Sequence, residues 1–410
     1  MSSTLGIRSV TVICLLASLA LLPSVAAATS PTISSVSLGT VPRGVAVNPG
    51  TGAIYTVLYL NGTTLTLSGQ SYQVIGRVAT PSPYAVAVDS VTNQVYVSQG
   101  QGASISVIDS SGNTVLAAIQ GAGTPYAMVV DEPQNLIFAA DTGSNSLWII
   151  NGATNTVDSR IQMGDTSALA FDPTNHEAFI GNLSSDSTSG SVIVVSSDNQ
   201  SVIRTIPIPI APSHFAVDPI SHLLFVTGAE DAAGVNFLAI NDETFQIVYQ
   251  IQLGDAPQLV TVASSPDVYV SDPGVNRLYE LDGANHQLLL NSSGGQSDGI
   301  TFTGITAMAY SPVTGSLYIT ENDVTSLIVL SAGTTTPSPV LFAPVWYLVA
   351  LLIIAALLCV ALVVIRGRRG RSAPEGAAAP GRGPSAVPAP PSGSMLRNRT
   401  TKETRFIRDF

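Results

Sequence analysis

Between Arg43 and Thr320 the chain writes one hydropathy phrase seven times: alternating small and large apolar residues, an Asp-like turn residue, then an aromatic about seven positions on. The clearest copies are Tyr84–Ser98 and Tyr126–Ala140. The turn residues are Asn48, Asp89, Asp131, Asp172, Asp218, roughly Ala263 (a copy one residue short) and Ser311. The aromatics are Tyr55, Tyr96, Phe138, Phe179, Phe225, Tyr269 and Tyr318. Within a copy the period-2 alternation predicts strands, and turn residues divide each copy into four. In the second copy these are A (Ala85–Val88), B (Val95–Ser98), C (Ile105–Ile108) and D (Val115–Ile119). Asp89–Asn93 and Asp109–Asn113 supply the hairpin turns, because Asp, Asn and Gly accept the backbone angles required there. Strand C recurs as Leu147–Ile150, Val192–Val195, Phe237–Ile240, Leu278–Leu281 and Leu327–Leu330.

Turn residues recur every 41 to about 48 positions, the period of a four-stranded propeller blade. The predicted fold is all-β, a seven-bladed propeller. The second residue of strand A is Gly44, Ala85, Ala127, Ala168, His214, Leu259 or Ala307; the third is Val45, Val86, Met128, Leu169, Phe215, Val260 or Met308. This alternation predicts small residues facing a crowded central channel and large ones packing between blades. The seventh copy stops after strand C at Leu330, while a spare strand, Ile33–Leu38, precedes the first. It leads into Gly39-Thr40-Val41-Pro42, and a similar Gly-x-x-Pro joins blades at Gly254–Pro257. The N-terminal strand is therefore expected to close the last blade and pair its open edge.

Both ends fall outside the repeats. Residues 1–28 carry one charge, Arg8, then the apolar run Val10–Leu22 and Ala26-Ala27-Ala28, a signal peptide with an A-x-A end. The propeller ectodomain then spans 29–333, followed by a Thr/Pro spacer over 334–344. Val345–Ile365 holds 21 uncharged residues, long enough to cross ~30 Å of hydrocarbon as one C-terminal transmembrane α-helix. Trp346 and Tyr347 stand at its outer edge, and Arg366, Arg368, Arg369 and Arg371 follow. That is the positive-inside pattern of a single-pass type I protein in the cell membrane, propeller outside. Residues 366–410 form a basic tail whose Ala, Pro and Gly content predicts disorder.

Charge divides at that helix. Thr29–Pro344 has 24 Asp plus Glu against 5 Arg and no Lys, a net of −19; Arg366–Phe410 has 10 basic against 3 acidic residues, a net of +7. The outer field excludes nucleic acid as a partner and attracts cations or basic groups. The inner one favours anionic lipid. Cys14 and Cys359 are the two cysteines, so the ectodomain has neither a disulfide nor a thiolate zinc ligand.

Tyr96-Val97-Ser98-Gln99, Tyr269-Val270-Ser271-Asp272 and Tyr318-Ile319-Thr320-Glu321 resemble the tetrapeptide that names the YVTN-repeat propellers of prokaryotic surface proteins. The resemblance covers about Ile33–Leu330 and implies the fold more than a function; Phe138–Asp141 and Phe179–Asn182 depart from the tetrapeptide. No Trp-Asp dipeptide points to the WD repeat.

Candidate chemistry is sparse. His176 and His222 each lie four residues after a turn Asp, in A–B hairpins of neighbouring blades, and read as solvated turn residues. His214 replaces the usual Ala or Gly of strand A, as a buried histidine or a ligand contact at the channel. No Ser-His-Asp set, His-x-x-x-His pair or phosphate loop stands in a blade context, and no buried setting for general acid/base carboxylates is evident. The residues opening strand A, namely Arg43, Tyr84, Tyr126, Ser167, Ser213, Gln258 and Thr306, should ring the upper mouth, as a ligand site or a hydrated rim. The B–C loops on that face carry Asp141, Asp186, Glu230, Asp231, Asp272, Glu321 and Asp323, an acidic rim that suits calcium although no D-x-[DN]-x-[DN]-G loop is present. Beyond calcium no cofactor is identified. Asn61, Asn182, Asn199 and Asn291 begin glycosylation sequons in or beside predicted loops, and Asn398 begins one on the cytoplasmic side. Together these features predict a binding or adhesion module for an extracellular protein, glycan or small ligand. The alternatives are a propeller enzyme, lyase or oxidoreductase, with its site at the same mouth, and a structural surface-coat component.

Overall fold

The computed structural model describes residues 32–101, 104–121, 125–185, 187–283, 287–293, 302 and 304–331. The predicted signal peptide, spacer, membrane helix and tail, with Asp186 and His286, lie outside them. Among the described residues no helix is long and apolar enough to cross a membrane.

Seven four-stranded antiparallel sheets form the ring. Their strands, in order A to D, are Gly44–Val47, Ile54–Leu58, Thr63–Leu67 and Val74–Ala79 in blade 1, and Pro83–Asp89, Gln94–Gln99, Ser104–Asp109 and Val115–Gln120 in blade 2. Blade 3 has Pro125–Asp131, Leu136–Asp141, Ser146–Asn151 and Thr156–Gln162; blade 4 has Thr166–Asp172, Glu177–Leu183, Gly190–Ser196 and Ser201–Ile208. Blade 5 has Ala211–Asp218, Leu223–Ala229, Phe237–Asn241 and Ile247–Ile251; blade 6 has Val260–Val262, Val268–Asp272, Arg277–Leu281 and Leu288–Ser293. Blade 7 contributes Ile305–Ser311, Ser316–Glu321 and Ser326–Ser331, and its strand D is Thr32–Ser37 from the N-terminus. Ile33 pairs with Leu330 and Ser37 with Ser326, so the expected closure is observed.

The A–B turn follows from its residues. Asn48 Oδ1 accepts the backbone N–H groups of Gly50 (2.9 Å) and Thr51 (3.0 Å); Asp89 Oδ1 accepts those of Val91 and Thr92, both at 2.9 Å. Four residues after the turn residue the backbone turns left-handed, at Gly52, Asn93, Asn135, His176, His222 and Gly315 (φ between 52° and 72°). The two histidines thus occupy a slot that Gly or Asn fills in other blades.

Seven apolar clusters hold the ring together, one per blade interface. They correct the expected role of the strand A alternation. Small residues of one blade face large residues of the next: Ala168 and Ala170 meet Phe215, Ala85 and Ala87 meet Met128, and Ala127 meets Leu169. Both faces of strand A therefore pack between blades, each small residue leaving room for its neighbour's large one. Gly44 is the extreme case, since a Cβ there would lie 2.8 Å from the Tyr84 carbonyl oxygen.

The strand B aromatics are buried and reach beneath the C–D turn of the following blade. The Tyr55 hydroxyl donates to the Ser110 carbonyl at 2.7 Å, Phe225 packs on Gly283, and the Tyr318 ring stands edge-on to Tyr72 at 6.3 Å. Burial raises the Tyr55 pKa to about 12, keeping the hydroxyl a proton donor. On the outer edge, strand D skips one residue against strand C in six blades, for example opposite Thr66/Leu67 and Val107/Ile108. Such bulges twist an open edge away from pairing with other chains.

Candidate functional site

The residues predicted to surround the mouth stand at backbone irregularities. Strand A breaks register with strand B at its opening in five blades: between Pro83 and Val86, Pro125 and Ala127, Thr166 and Ala168, Pro212 and His214, and Ile305 and Ala307. Tyr84, Tyr126, Ser167, Ser213 and Thr306 fall in those gaps, five of the seven predicted positions. A bulge takes a residue out of the ladder and re-aims its side chain.

Three positions from consecutive blades converge. Arg43 donates from Nη2 to the Tyr84 hydroxyl at 3.0 Å, and its guanidinium carbon lies 4.2 Å from the Tyr84 ring centroid and 5.5 Å from that of Tyr59. The Tyr126 ring meets Tyr84 edge-to-face, centroids 4.5 Å apart, with 41% of Tyr126 exposed. Gln101 Nε2 donates to the Tyr59 hydroxyl at 3.2 Å. Tyr59 and Gln101 belong to the B–C loops of blades 1 and 2, outside the repeat positions compared in the sequence, and so escaped notice. Among the described residues no carboxylate stands within ion-pair distance of Arg43. Aromatic faces stabilise the guanidinium by cation–π attraction without neutralising it. Its remaining N–H donors can take a planar anion such as a carboxylate.

Ser213 and Gln258 instead line a cleft of about 370 Å³ between blades 5 and 6, together with Glu230, Asp255, Pro257 and Pro273. Thr306 shares a hydrogen bond with Thr320, Oγ1 to Oγ1, at 2.8 Å. Ser167 takes its place in the strand, its side chain outside the described set. His214 faces blade 6, where its Nδ1 accepts the Val260 N–H at 3.4 Å, and burial pushes its pKa down to about 4. It is an inter-blade hydrogen-bond acceptor with its side chain half-buried beside the channel.

The acidic rim is not brought together. Strand B runs further than expected, so the fourth tetrapeptide residue is buried at its end. Asp272 accepts the N–H groups of Asp255 (2.7 Å), Ala256 (3.1 Å) and Gly274 (3.0 Å), tying the linker from blade 5 to its own B–C turn. Gly254 begins that linker at φ +62°, and a Cβ there would lie 1.9 Å from Asp272 Oδ2, which explains the glycine of Gly-x-x-Pro. Asp141 does similar work, accepting the Gly143 N–H at 3.1 Å and the Ser144 hydroxyl. Glu321 is also buried. Asp231 accepts the N–H groups of Ala233 (2.8 Å) and Val235 (2.9 Å), while Glu230 and Asp323 are exposed. Among the described residues no three His, Cys, Asp or Glu side chains converge to hold a metal ion. Of the sequons, Asn61 is exposed at the end of a short 3-10 helix, Tyr59–Asn61, and Asn199 is exposed in a turn. Asn182 instead lies within strand B of blade 4, paired with Thr166 and Ser191, its amide oxygen buried near Gly164. Asn291 lies in strand D of blade 6, opposite Tyr279.

The opposite face holds what the sequence did not reveal: buried carboxylates with shifted acidity. Asp242, from the C–D turn of blade 5, lies against Asp172, from the A–B turn of blade 4, both essentially inaccessible to solvent. Asn175 Nδ2 donates to Asp242 Oδ1 at 3.4 Å, and His222 Nδ1 stands 3.2 Å from the same oxygen. Burial, then Asp172, raises the Asp242 pKa to about 6, against the pull of His222. Burial, Asp172 and Asp242 raise Glu177 to about 7, opposed by Arg204. On the neighbouring interface His176 Nδ1 lies 3.7 Å from Asp131 Oδ2. The turn histidines thus sit beside carboxylates, one third exposed, where free solvation was expected.

No family model matches the sequence, and no curated protein matches it. Solved structures do. The chain is similar to Kuenenia stuttgartiensis hydrazine synthase, with a TM-score of 0.62 and 15% identity over 72% of this chain and 97% of that one. It is similar also to the beta-propeller domain of Myceliophteria thermophila Cps50 (Swd1), with a TM-score of 0.60 and 12% identity over 74% of this chain and 100% of that one. At such identities the likeness is one of fold, in agreement with the seven blades.

Proposed function

We propose that this chain is a cell-surface binding module of the YVTN-repeat kind, held by a single membrane helix over residues 345–365 with the propeller outside and the basic tail inside. Its ligand presents a carboxylate or similar planar anion at the upper mouth. The observation that carries this reading is Arg43, held between Tyr59 and Tyr84 with no carboxylate partner among the described residues. In an ectodomain of net −19 an unneutralised guanidinium is an isolated positive centre, able to select an anionic group that the rest of the surface repels. Tyr126 adds an exposed ring beside it, an apolar face with a polar tip suited to a sugar or peptide.

The test is titration of the full-length chain in detergent micelles with paired probes that differ only in charge: glucuronate oligosaccharide against its neutral glucose counterpart, and N-acetyl-oligoglycine acid against its amide. Each acid should bind more tightly than its partner, and Arg43→Gln should weaken only the acids, by about tenfold for a lost charge-assisted contact of ~1.5 kcal/mol. Tyr84→Phe with Tyr126→Phe should weaken binding while the melting temperature stays constant. Lost stability with unchanged affinity would assign these residues to the scaffold. Orientation is tested separately: protease added to intact cells should spare only the membrane helix and the 366–410 side, and a protected propeller would reverse the topology.

A further inference from the structure

The cleft between blades 5 and 6 opens on the same face as the Arg43 cluster, since both are built from strand A openings, B–C loops and linkers between blades. Arg43, Tyr84 and Tyr126 come from blades 1 to 3, an arc centred on blade 2. The cleft lies half a turn of a seven-membered ring away. Its volume of about 370 Å³ falls within the range of small-ligand sites. Strand B of blade 5 ends in Gly228-Ala229, which line the cleft, where blades 2, 3 and 6 end in Gln99, Asp141 and Asp272.

The chemistry of the cleft is opposite to that of the Arg43 cluster. Glu230 and Asp255 face it with no basic residue within ion-pair distance among the described residues, and Ser213 and Gln258 add hydrogen-bonding groups. Pro257 and Pro273 stiffen its walls. Asp255 is fixed in place because its own N–H is bonded to buried Asp272. Two exposed carboxylates on one rim favour an ammonium group.

We propose that the mouth is bipolar and takes an extended zwitterionic ligand of peptide length, its carboxylate at Arg43 and its ammonium in the blade 5/6 cleft. This rests on the proposed Arg43 site and adds a second station with its own chemistry. A neutral polyol would need neither charge, and a simple anion would need only the first.

Hexaglycine with free termini, its N-acetyl form, its C-amide form and the doubly blocked form are the probes, titrated into the full-length chain in micelles. The unblocked peptide should bind most tightly. Acetylation of the amine should weaken it about tenfold, and Glu230→Gln with Asp255→Asn should weaken the unblocked peptide equally while leaving the N-acetyl form unaffected. That non-additivity is the signature of one contact removed from either side. An unchanged melting temperature in the double variant confirms that the fold is intact. Binding indifferent to acetylation, or to the double variant, overturns the bipolar mouth. If the carboxylate still requires Arg43 in that case, the Arg43 reading survives alone; if C-amidation is harmless as well, both readings fall.

Discussion

Removing the charge of Asp242 tests the lower face of the ring, and its sign is opposite to that of carboxylates held ionised by a basic partner. Asp242 and Glu177 titrate in the folded chain at about 6 and about 7, above the 3.8 and 4.5 of the free groups. Between roughly pH 4 and 7 the folded state therefore binds more protons than the unfolded chain, and stability falls as pH rises through that window. For Asp242 a shift of about 2 units at 1.36 kcal/mol each gives ~3 kcal/mol. Glu177 is partly solvated and coupled to the same groups, so it adds a discounted ~1 kcal/mol at most. His214 acts oppositely: its folded pKa of about 4 lies below the usual 6.5, so its stabilisation is full above pH 6.5 and lost as pH falls toward 4. A wild-type profile alone would mix the two. The informative quantity is the difference in melting temperature between wild type and Asp242→Asn, because the His214 contribution cancels. Asn keeps the shape and can donate to Asp172, so the variant should be the more stable protein at pH 8. Relative to it, the wild type should gain about 2 kcal/mol on going to pH 4.5, since the full shift is expressed only below the unfolded pKa, or roughly 3–4 °C for a domain of this size. Calorimetry or circular dichroism at half-unit intervals reads the curve. A difference independent of pH would show that Asp172 and Asp242 do not share a proton across the interface. A variant less stable at every pH would show instead that the ionised carboxylate holds His222 and Asn175 in place.

Two further outcomes test the packing rules of the ring. Ala168→Leu puts a large residue where blade 4 must accept Phe215 of blade 5; overpacking should cost ~1–3 kcal/mol in denaturant titration, and a neutral result would mean the interface has slack. Deleting Thr32–Ser37 strips blade 7 of its outer strand and exposes the backbone edge of Ser326–Ser331; the chain should melt earlier and less cooperatively or aggregate on dilution, whereas an unchanged melt would show that closure contributes nothing.

The blade count and the closing strand were legible because each follows from spacing along the chain. A turn residue and an aromatic seven positions later mark strands A and B wherever they fall, and a seventh copy ending at Leu330 leaves one strand for Thr32–Ser37 to supply. The strand A alternation was legible as a pattern and not as a direction. Alternation states that Ala168 and Leu169 point to opposite faces, but not what each face meets. Only the ring places Ala168 against Phe215 and Leu169 against Ala127. The mouth positions were likewise located by alignment of the copies, yet their bulges are features of pairing between two strands and leave no mark on either strand alone.

The same limit explains why the two charged clusters escaped in opposite ways. The acidic rim looked like a site because seven carboxylates share one class of loop, but strand B continues through that class, and Asp141 and Asp272 spend their lone pairs on backbone N–H groups. Asp172, Glu177 and Asp242 looked like unrelated turn residues because Asp242 lies on another blade, 70 positions after Asp172. In a ring whose blades touch only their neighbours, the chemistry that matters lies at interfaces between copies. The repeat makes each blade readable while separating along the chain the groups that meet across each interface. Arg43 with Tyr84 and Asp172 with Asp242 are both such pairs. Substituting Asp242 should therefore report on the interface between blades 4 and 5, whereas substituting Arg43 or Tyr84 should report on the ligand at the mouth.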